Sequence, residues 1–245
     1  MVSVQIWRCD RAGARSLRQD EVVEERTISV YVGGHLATRL AASDGLAKEA
    51  AIGHAISHGW ATPDQVAAVS VEGTSVFLQL APDASGPGPI EVGILDCISG
   101  EPTVATDAAP DGLTVSADHL LKLAEQLQRQ ASCWRATGGV HAALIAKEDA
   151  TFACEDISRH TAMDKVIGYA LDNSWNLSRC VVLETGRISA QAVAQAARAR
   201  VPMLASRGAT TVQAITLAEQ LQITLVGFLR AGHMNIYSRP DRIVP

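Results

Sequence analysis

Aromatic residues are scarce in this chain of 245: three Phe, four Trp and three Tyr make up 4% of it, while 47% is apolar. The apolar share is therefore mostly Ala, Val, Leu and Ile. That mixture suits helices packed closely on sheet and leans towards α/β rather than a β-sandwich. With only 19% charged residues, disorder is excluded as well. An excess of positive charge is lacking too: the net charge is −5, which excludes a nucleic-acid surface built from a general basic excess and makes any anion site local. No apolar run approaches the roughly 18 residues of a membrane span. Met1 to Arg26 has mixed charges and no apolar signal-peptide core, so no membrane association and a cytoplasmic location are expected. Neither a CxxC pair nor an HxE…PCxxC arrangement is present, so zinc chemistry has no ligand set and no metal site is expected. GxSxG is absent, which removes the usual serine-hydrolase signature. The five cysteines, Cys9, Cys97, Cys133, Cys154 and Cys180, have no close partner in sequence and fit reduced thiols.

The pattern along the chain predicts three parts. Residues 1–26 alternate charge without a period and read as an arm or a poorly ordered lead-in. Residues 27–106 hold a small α/β unit and the loop that follows it. Thr27 to Val32 and His35 to Ala41 flank Gly33-Gly34, a type I′ hairpin signal. A helix runs from about Asp44 to Gly59, and Val66 to Val71 with Thr74 to Leu80 flank Glu72-Gly73 as a second hairpin. Residues 107–245 form the larger unit, opening with Ser116 as the N-cap of a helix. Strand-like Gly139 to Ala146 and Thr151 to Cys154 then precede alternating helices and strands: helix Thr161 to Leu171, strand Cys180 to Glu184, helix Ser189 to Arg200, strand Val201 to Ala205, helix Thr211 to Leu221 and strand Ile223 to Leu229. That alternation predicts parallel crossovers and a sheet covered on both faces.

In such a sheet, ligands bind beyond the carboxyl ends of the strands, where helix N-termini favour anions. Three successive strand ends carry Arg and Gly together: Thr185-Gly186-Arg187, Ser206-Arg207-Gly208 and Arg230-Ala231-Gly232-His233. Glycine admits a ligand to the backbone, and Arg offers a fork for phosphate oxygens. One such Arg alone reads as a solvated loop residue. Three on one edge point to a nucleotide-like or pyrophosphate-bearing ligand. Two further stretches stand out, Thr137-Gly138-Gly139-Val140-His141 before a strand, and Glu155 to His160 with Asp164 and Lys165 around a helix start. The plain reading of the acids is dipole complementation, with Asp164 and Lys165 solvated. Among the thiols, Cys97 in a turn-like segment is the best candidate for reactivity, whereas Cys154 and Cys180 lie in apolar strands and read as buried and inert.

Thr137-Gly138-Gly139-Val140-His141-Ala142-Ala143 and Glu155-Asp156-Ile157-Ser158-Arg159-His160-Thr161-Ala162-Met163-Asp164-Lys165-Val166-Ile167-Gly168 resemble the TGGxHAA and EDxGRHNAxDKVIG blocks of the FdhD/NarQ family, the formate dehydrogenase accessory sulfurtransferases. Gly186-Arg187-Ile188-Ser189, Ser206-Arg207-Gly208-Ala209 and Gly227 to Tyr237 match its later blocks in order. The resemblance covers roughly residues 115–240. It implies a three-layer main domain similar to the cytidine deaminase fold, a smaller N-terminal α/β domain, and a homodimer. It also implies a role: sulfur passes as a persulfide from a cysteine desulfurase to the molybdenum bis(molybdopterin guanine dinucleotide) cofactor, or its tungsten analogue, before that cofactor enters the formate dehydrogenase catalytic subunit. A guanine nucleotide is then expected to mimic the cargo. The family's cofactor segment falls on Phe228, Leu229, Arg230, Ala231, Gly232 and His233. Arg187, Arg207 and Arg230 are assigned to phosphates, Gly138, Gly139, Gly186 and Gly232 to their close approach, and His141, Asp156, Arg159, His160, Asp164 and Lys165 to the pocket or the dimer seam.

Two departures from the family pattern bear on that role. Where members usually carry CGVCG, this chain reads Asp96-Cys97-Ile98-Ser99-Gly100, so both family cysteines are replaced and Cys97 falls on a glycine position. A persulfide relay needs an accessible thiolate. Either Cys97 serves alone as the catalytic thiol, or the chain holds the cofactor without transferring sulfur. The helix ending His54-Ala55-Ile56-Ser57-His58-Gly59 also departs, with His58 where the family usually has Glu.

Overall fold

Residues 1–88 and 107–245 are described by the computed structural model of the chain. The first strands, β1 (Val2–Cys9) and β2 (Arg15–Val22), pair antiparallel. Asp10 closes their turn, its carboxylate accepting the Ala12 and Ala14 backbone N–H groups at 2.9 Å, with Gly13 at φ 85°. Residues 1–26, read as an arm or a poorly ordered lead-in, thus begin with a regular hairpin. β2 is exposed at every position, so neither face needs an apolar period, and the alternation that marks a half-buried strand is missing.

The small unit follows the expected order: β3 (Arg26–Val32), β4 (His35–Ala42), α1 (Ala47–Ser57), β5 (Val66–Glu72) and β6 (Ser75–Leu80). Gly33 and Gly34 both have positive φ, as their turn requires. The sheet order is β4-β3-β6-β5, with β3 and β6 parallel at the centre. Ile28, Val30, Val76 and Leu78 on those two strands bury against Ala50, Ala51, Ile52 and Ala55 of α1.

The larger unit contains β7 (Val115–Ser116), α2 (Ala117–Gln130), α3 (Ser132–Thr137), β8 (His141–Lys147), β9 (Ala150–Asp156), α4 (Arg159–Asp172), β10 (Val181–Glu184), α5 (Ala190–Arg198), β11 (Met203–Ser206), α6 (Val212–Gln220), β12 (Thr224–Arg230), β13 (His233–Ser238) and β14 (Ile243–Val244). Its six-stranded sheet has the order β13-β12-β11-β10-β8-β9, while β7 and β14 form a separate short pair. Within the six-stranded sheet, parallel pairing is confined to β10, β11 and β12, and β8, β9 and β13 run antiparallel; β7 and β14 pair parallel. β13 follows the last strand of the alternating pattern, and α3 is a six-residue turn of helix before β8; neither is predicted by that pattern. Both sheet faces are covered. Val182, Leu204 and Leu225 face α4, α5 and α6, and Leu183, Ala205 and Val226 face Leu120, Leu123 and Leu127 of α2. Each helix following the sheet's strands is capped by a hydroxyl: Ser158, Ser189 and Thr211 accept N–H groups of Thr161, Ala192 and Ala214, as Ser116 does for His119 in α2.

The two units are joined backbone to backbone. α1 crosses α4 so closely that a Cβ on Gly53 would lie 1.8 Å from the Asp164 carbonyl oxygen, and one on Gly168 would lie 1.9 Å from that of Glu49. Beside the crossing, the buried Lys165 ammonium pairs with Asp156 at 2.7 Å. Ser43, just past β4, donates its N–H and hydroxyl to the same Asp156 oxygen and accepts from Lys165. Thr161 adds a bond to the Ala41 carbonyl at 3.0 Å. Lys165 and Asp156 are each about 0% exposed, so Lys165 is a buried clasp rather than a solvated charge.

Candidate anion site at the strand ends

The three Arg-Gly strand ends are stacked on one another. The Arg207 N–H donates to the Glu184 carbonyl, Ile188 to Ala209, Thr211 to Ile188, and Phe228 to Gly208. Ser206 Oγ donates to the Gly186 carbonyl. Gly208 has no room for a side chain, since a Cβ there would approach Gly186 O to 2.7 Å. The loops after β10, β11 and β12 therefore form one ladder along the carboxyl edge. Arg187 and Arg230 are exposed along it and Arg207 is half-buried, an arrangement suited to anionic oxygens.

The last rung bends sharply. Phe228 at φ 51° and Ala231 at φ 52° are left-handed without being glycine, and Gly232 follows at φ 77°. The β12–β13 register shifts between Gly227 and Arg230. A bulky residue at positive φ is uncommon and is kept only where its surroundings fix it. The bend turns Arg230 back so that its guanidinium sits 5.5 Å from the Phe228 ring centre. His233 is exposed, with Nδ1 3.4 Å from the Ala231 carbonyl. Leu229 differs from its neighbours: it is fully buried in the α2-side core and anchors the segment.

A second group meets the ladder at β10. Gly186 lies between Arg159 at the start of α4 and His141 at the start of β8, a Cβ on it falling 3.3 Å from Arg159 Cδ and 3.4 Å from His141 Nδ1. His160 is half-buried beside Arg159. Glu184 ends β10 at 2% exposure, and its Oε1 has no hydrogen-bond partner. Burial pushes its carboxyl up to about 8, against the opposing pull of Arg159. Sequence reading passed over Glu184 because it looks like the last residue of an apolar strand. An acid ending a Val-Val-Leu run was the available signal.

Other expected residues sit elsewhere. Asp156 belongs to the Ser43–Lys165 clasp, and its other oxygen accepts the Ser158 N–H. Glu155 accepts the Cys133 and Trp134 N–H groups at the start of α3. Gly138 is the left-handed C-cap of α3, while Gly139 packs on the N-terminal strands' exit, where a Cβ would meet Val23 at 2.9 Å. Cys97 lies outside the described residues. Cys180 is buried and Cys154, expected to be buried, is half-buried; desolvation pushes both thiols up to about 12, which disfavours the reactive thiolate.

Asp164 forms a separate buried cluster with α1 and α5. It meets His54 Nδ1 at 3.0 Å and accepts the Ser57 hydroxyl and the Gln195 amide. Burial alone would raise this carboxyl, but the His54 and Ser57 hydrogen bonds and the histidine charges hold it low. The His54 and His58 rings stack at 3.7 Å, and burial, aided by His54, pushes His58 down to about 4. These three ionisable side chains come within 4.8 Å of one another, a possible metal-ligating set. Both Nδ1 atoms already have partners, His54 with Asp164 and His58 with the Ser57 hydroxyl and the His54 carbonyl, and Arg198 lies alongside with its donor on the Ser57 carbonyl. The geometry is that of a hydrogen-bonded seam between helices.

An α/β protein whose three parallel-strand ends stack Arg187, Arg207 and Arg230 along one sheet edge is the class these observations define. The family model described as FdhD/NarQ matches residues 23–244, and the chain belongs to that family. A sulfur carrier protein FdhD from Bacillus pumilus is 30% identical over 252 residues, covering 95% of this chain and 94% of that one. The one from Methanothermobacter thermautotrophicus is 29% identical over 231 residues and 92% of each chain. A third, from Halalkalibacterium halodurans, is 42% identical, but over 132 residues, 54% of this chain and 49% of its own length. The crystal structure of a protein described as a formate dehydrogenase accessory protein from Desulfotalea psychrophila superposes with a TM-score of 0.84 at 17% identity over 99% of each chain, which shows the shared fold. Among the described residues no helix is long and apolar enough to cross a membrane.

Proposed function

We propose that this chain is an accessory protein of formate dehydrogenase maturation that holds the bis(molybdopterin guanine dinucleotide) cofactor of molybdenum or tungsten for delivery to the catalytic subunit. The observation that carries this reading is the ladder of three strand-end loops, which gathers Arg187, Arg207 and Arg230 with the bent segment Phe228 to His233 on one edge. A dinucleotide brings several phosphate oxygens, and an edge lined with forked cations and close-approach glycines suits them. A homodimer in the cytoplasm is part of the proposal, as the family resemblance implies.

Sulfur transfer belongs to the same reading, with Cys97 as carrier. The Cys97 thiolate attacks the outer sulfur of a desulfurase persulfide. The S–S bond to the desulfurase breaks, its thiolate leaves, and the sulfur remains on Cys97 as a persulfide. The replacement of both family cysteines by Asp96 and Ser99 favours a second reading, a cofactor holder that transfers no sulfur. Incubation with a cysteine desulfurase and labelled cysteine separates the two: carriage by Cys97 predicts label on the wild type and none on Cys97→Ser. Binding of GDP by calorimetry tests the part both readings share. Arg230→Ala is expected to weaken it about tenfold or more, and unchanged affinity overturns the site.

A further inference from the structure

Glu184 is the group at the ladder that the anion site does not use. It ends β10, its backbone carbonyl takes the Arg207 N–H, and its Oε1 is buried without a hydrogen-bond partner. Leaving a buried acceptor unpaired is costly, and such groups persist where a ligand supplies the missing donor. The Nε of Arg159 is likewise buried and unpaired, and the stem of that side chain lies against Gly186. Arg159 is also the cation whose pull opposes the raised Glu184 carboxyl, which places the two unpaired groups near one another.

A carboxylate has only acceptors, so it selects a ligand edge with adjacent N–H donors. Phosphates bound to the Arg residues cannot satisfy it, and neither can an adenine ring, whose pairing edge mixes donor and acceptor. A 2-amino-4-oxopyrimidine edge offers a ring N–H and an amino group side by side, matching both carboxylate oxygens. Guanine and pterin rings share that edge. β12, which carries Arg230, lies two strands from β10, about 10 Å at ordinary strand spacing. That separation is of the order of a base and its outer phosphate.

We propose that Glu184 is the base-recognition residue of the site, reading the 2-amino-4-oxopyrimidine edge of a guanine or pterin ring while Arg207 and Arg230 hold the phosphates. The inference rests on the proposed cofactor-holding function. Burial favours the neutral carboxyl, and binding of the ring's paired donors to the carboxylate releases that proton to solvent.

The test measures binding of GDP, IDP, ADP and 6-carboxypterin to the full chain and to Glu184→Gln, whose folding is checked by its melting profile. IDP lacks only the 2-amino group. Wild type is expected to prefer GDP to both IDP and ADP by roughly tenfold to a hundredfold, and Glu184→Gln to lose that preference while holding ADP as before. Competition by 6-carboxypterin that depends on Glu184 assigns the edge to the pterin; its failure, with GDP selected, assigns it to guanine. If the variant does not fold, the GDP-to-IDP ratio of the wild type decides alone. Equal affinity for GDP, IDP and ADP overturns the role of Glu184 and leaves the cofactor-holding function standing. A wild type that binds neither GDP nor the pterin overturns both.

Discussion

At the residue scale, two buried groups set opposite pH dependences. His58 is neutral in the fold down to about 4, whereas an unfolded histidine binds its proton near 6.5. Between those values the unfolded state holds more protons, so stability falls as pH drops from about 6.5 towards 4. The urea midpoint is expected to correspond to a loss of about 1–2 kcal/mol at pH 5 relative to pH 7, and His58→Gln should flatten the change. Glu184 acts in the other sense, because its raised value of about 8 means that the fold holds a proton the unfolded chain releases near 4.5. Between pH 6 and 8 the wild type should lose on the order of 1–2 kcal/mol that Glu184→Gln does not lose, measurable as diverging melting temperatures. A variant that tracks the wild type through this range refutes the buried neutral acid.

At the element scale, the α1–α4 crossing has no slack. Gly53→Ala or Gly168→Ala places a methyl within 2 Å of a carbonyl oxygen, and the helices can only part. Each substitution should cost about 3 kcal/mol or more, at the upper end of overpacking effects, read as a lowered denaturation midpoint. The Asp156–Lys165 clasp behaves differently. Lys165→Met strands a buried carboxylate and should cost about 3–5 kcal/mol, while adding Asp156→Asn should recover part of the loss. Sequence reading reached some of these elements and not others for physical reasons. The three Arg-Gly joints were visible because a strand, a turn and a helix start follow one another locally. Gly53 and Gly168 meet only through tertiary packing, as do His54, Asp164 and Gln195, and nothing local marks such pairings. Lys165 looked solvated because its clasp partner Ser43 is 122 residues away. The β1–β2 hairpin was hidden for a third reason: β2 is exposed throughout and carries no apolar alternation, so the short Val2-Val4-Ile6 alternation of β1 has no matching partner strand in the sequence.

At the scale of the whole molecule, the larger unit's core is completed by the smaller one. Ile56 of α1 and Ala61 beyond it lie in the same apolar cluster as Ala162, Val166 and Val193, so separating the units would bare that surface. Chemical denaturation should therefore give one transition, with fluorescence and circular dichroism coincident; two resolved steps would mean that the clasp and the crossing do not couple the units. The glycine crossing has a kinetic consequence as well. His54 and Asp164, which meet beside it, are 110 residues apart in sequence, and closing so long a loop is slow and entropically costly. If the chain condenses around local strands and helices first, the crossing forms late, after the rate-limiting step. A methyl on Gly53 would then leave the refolding rate nearly unchanged and shorten the lifetime of the native state, so the glycine crossing would act as the molecule's latch against unfolding.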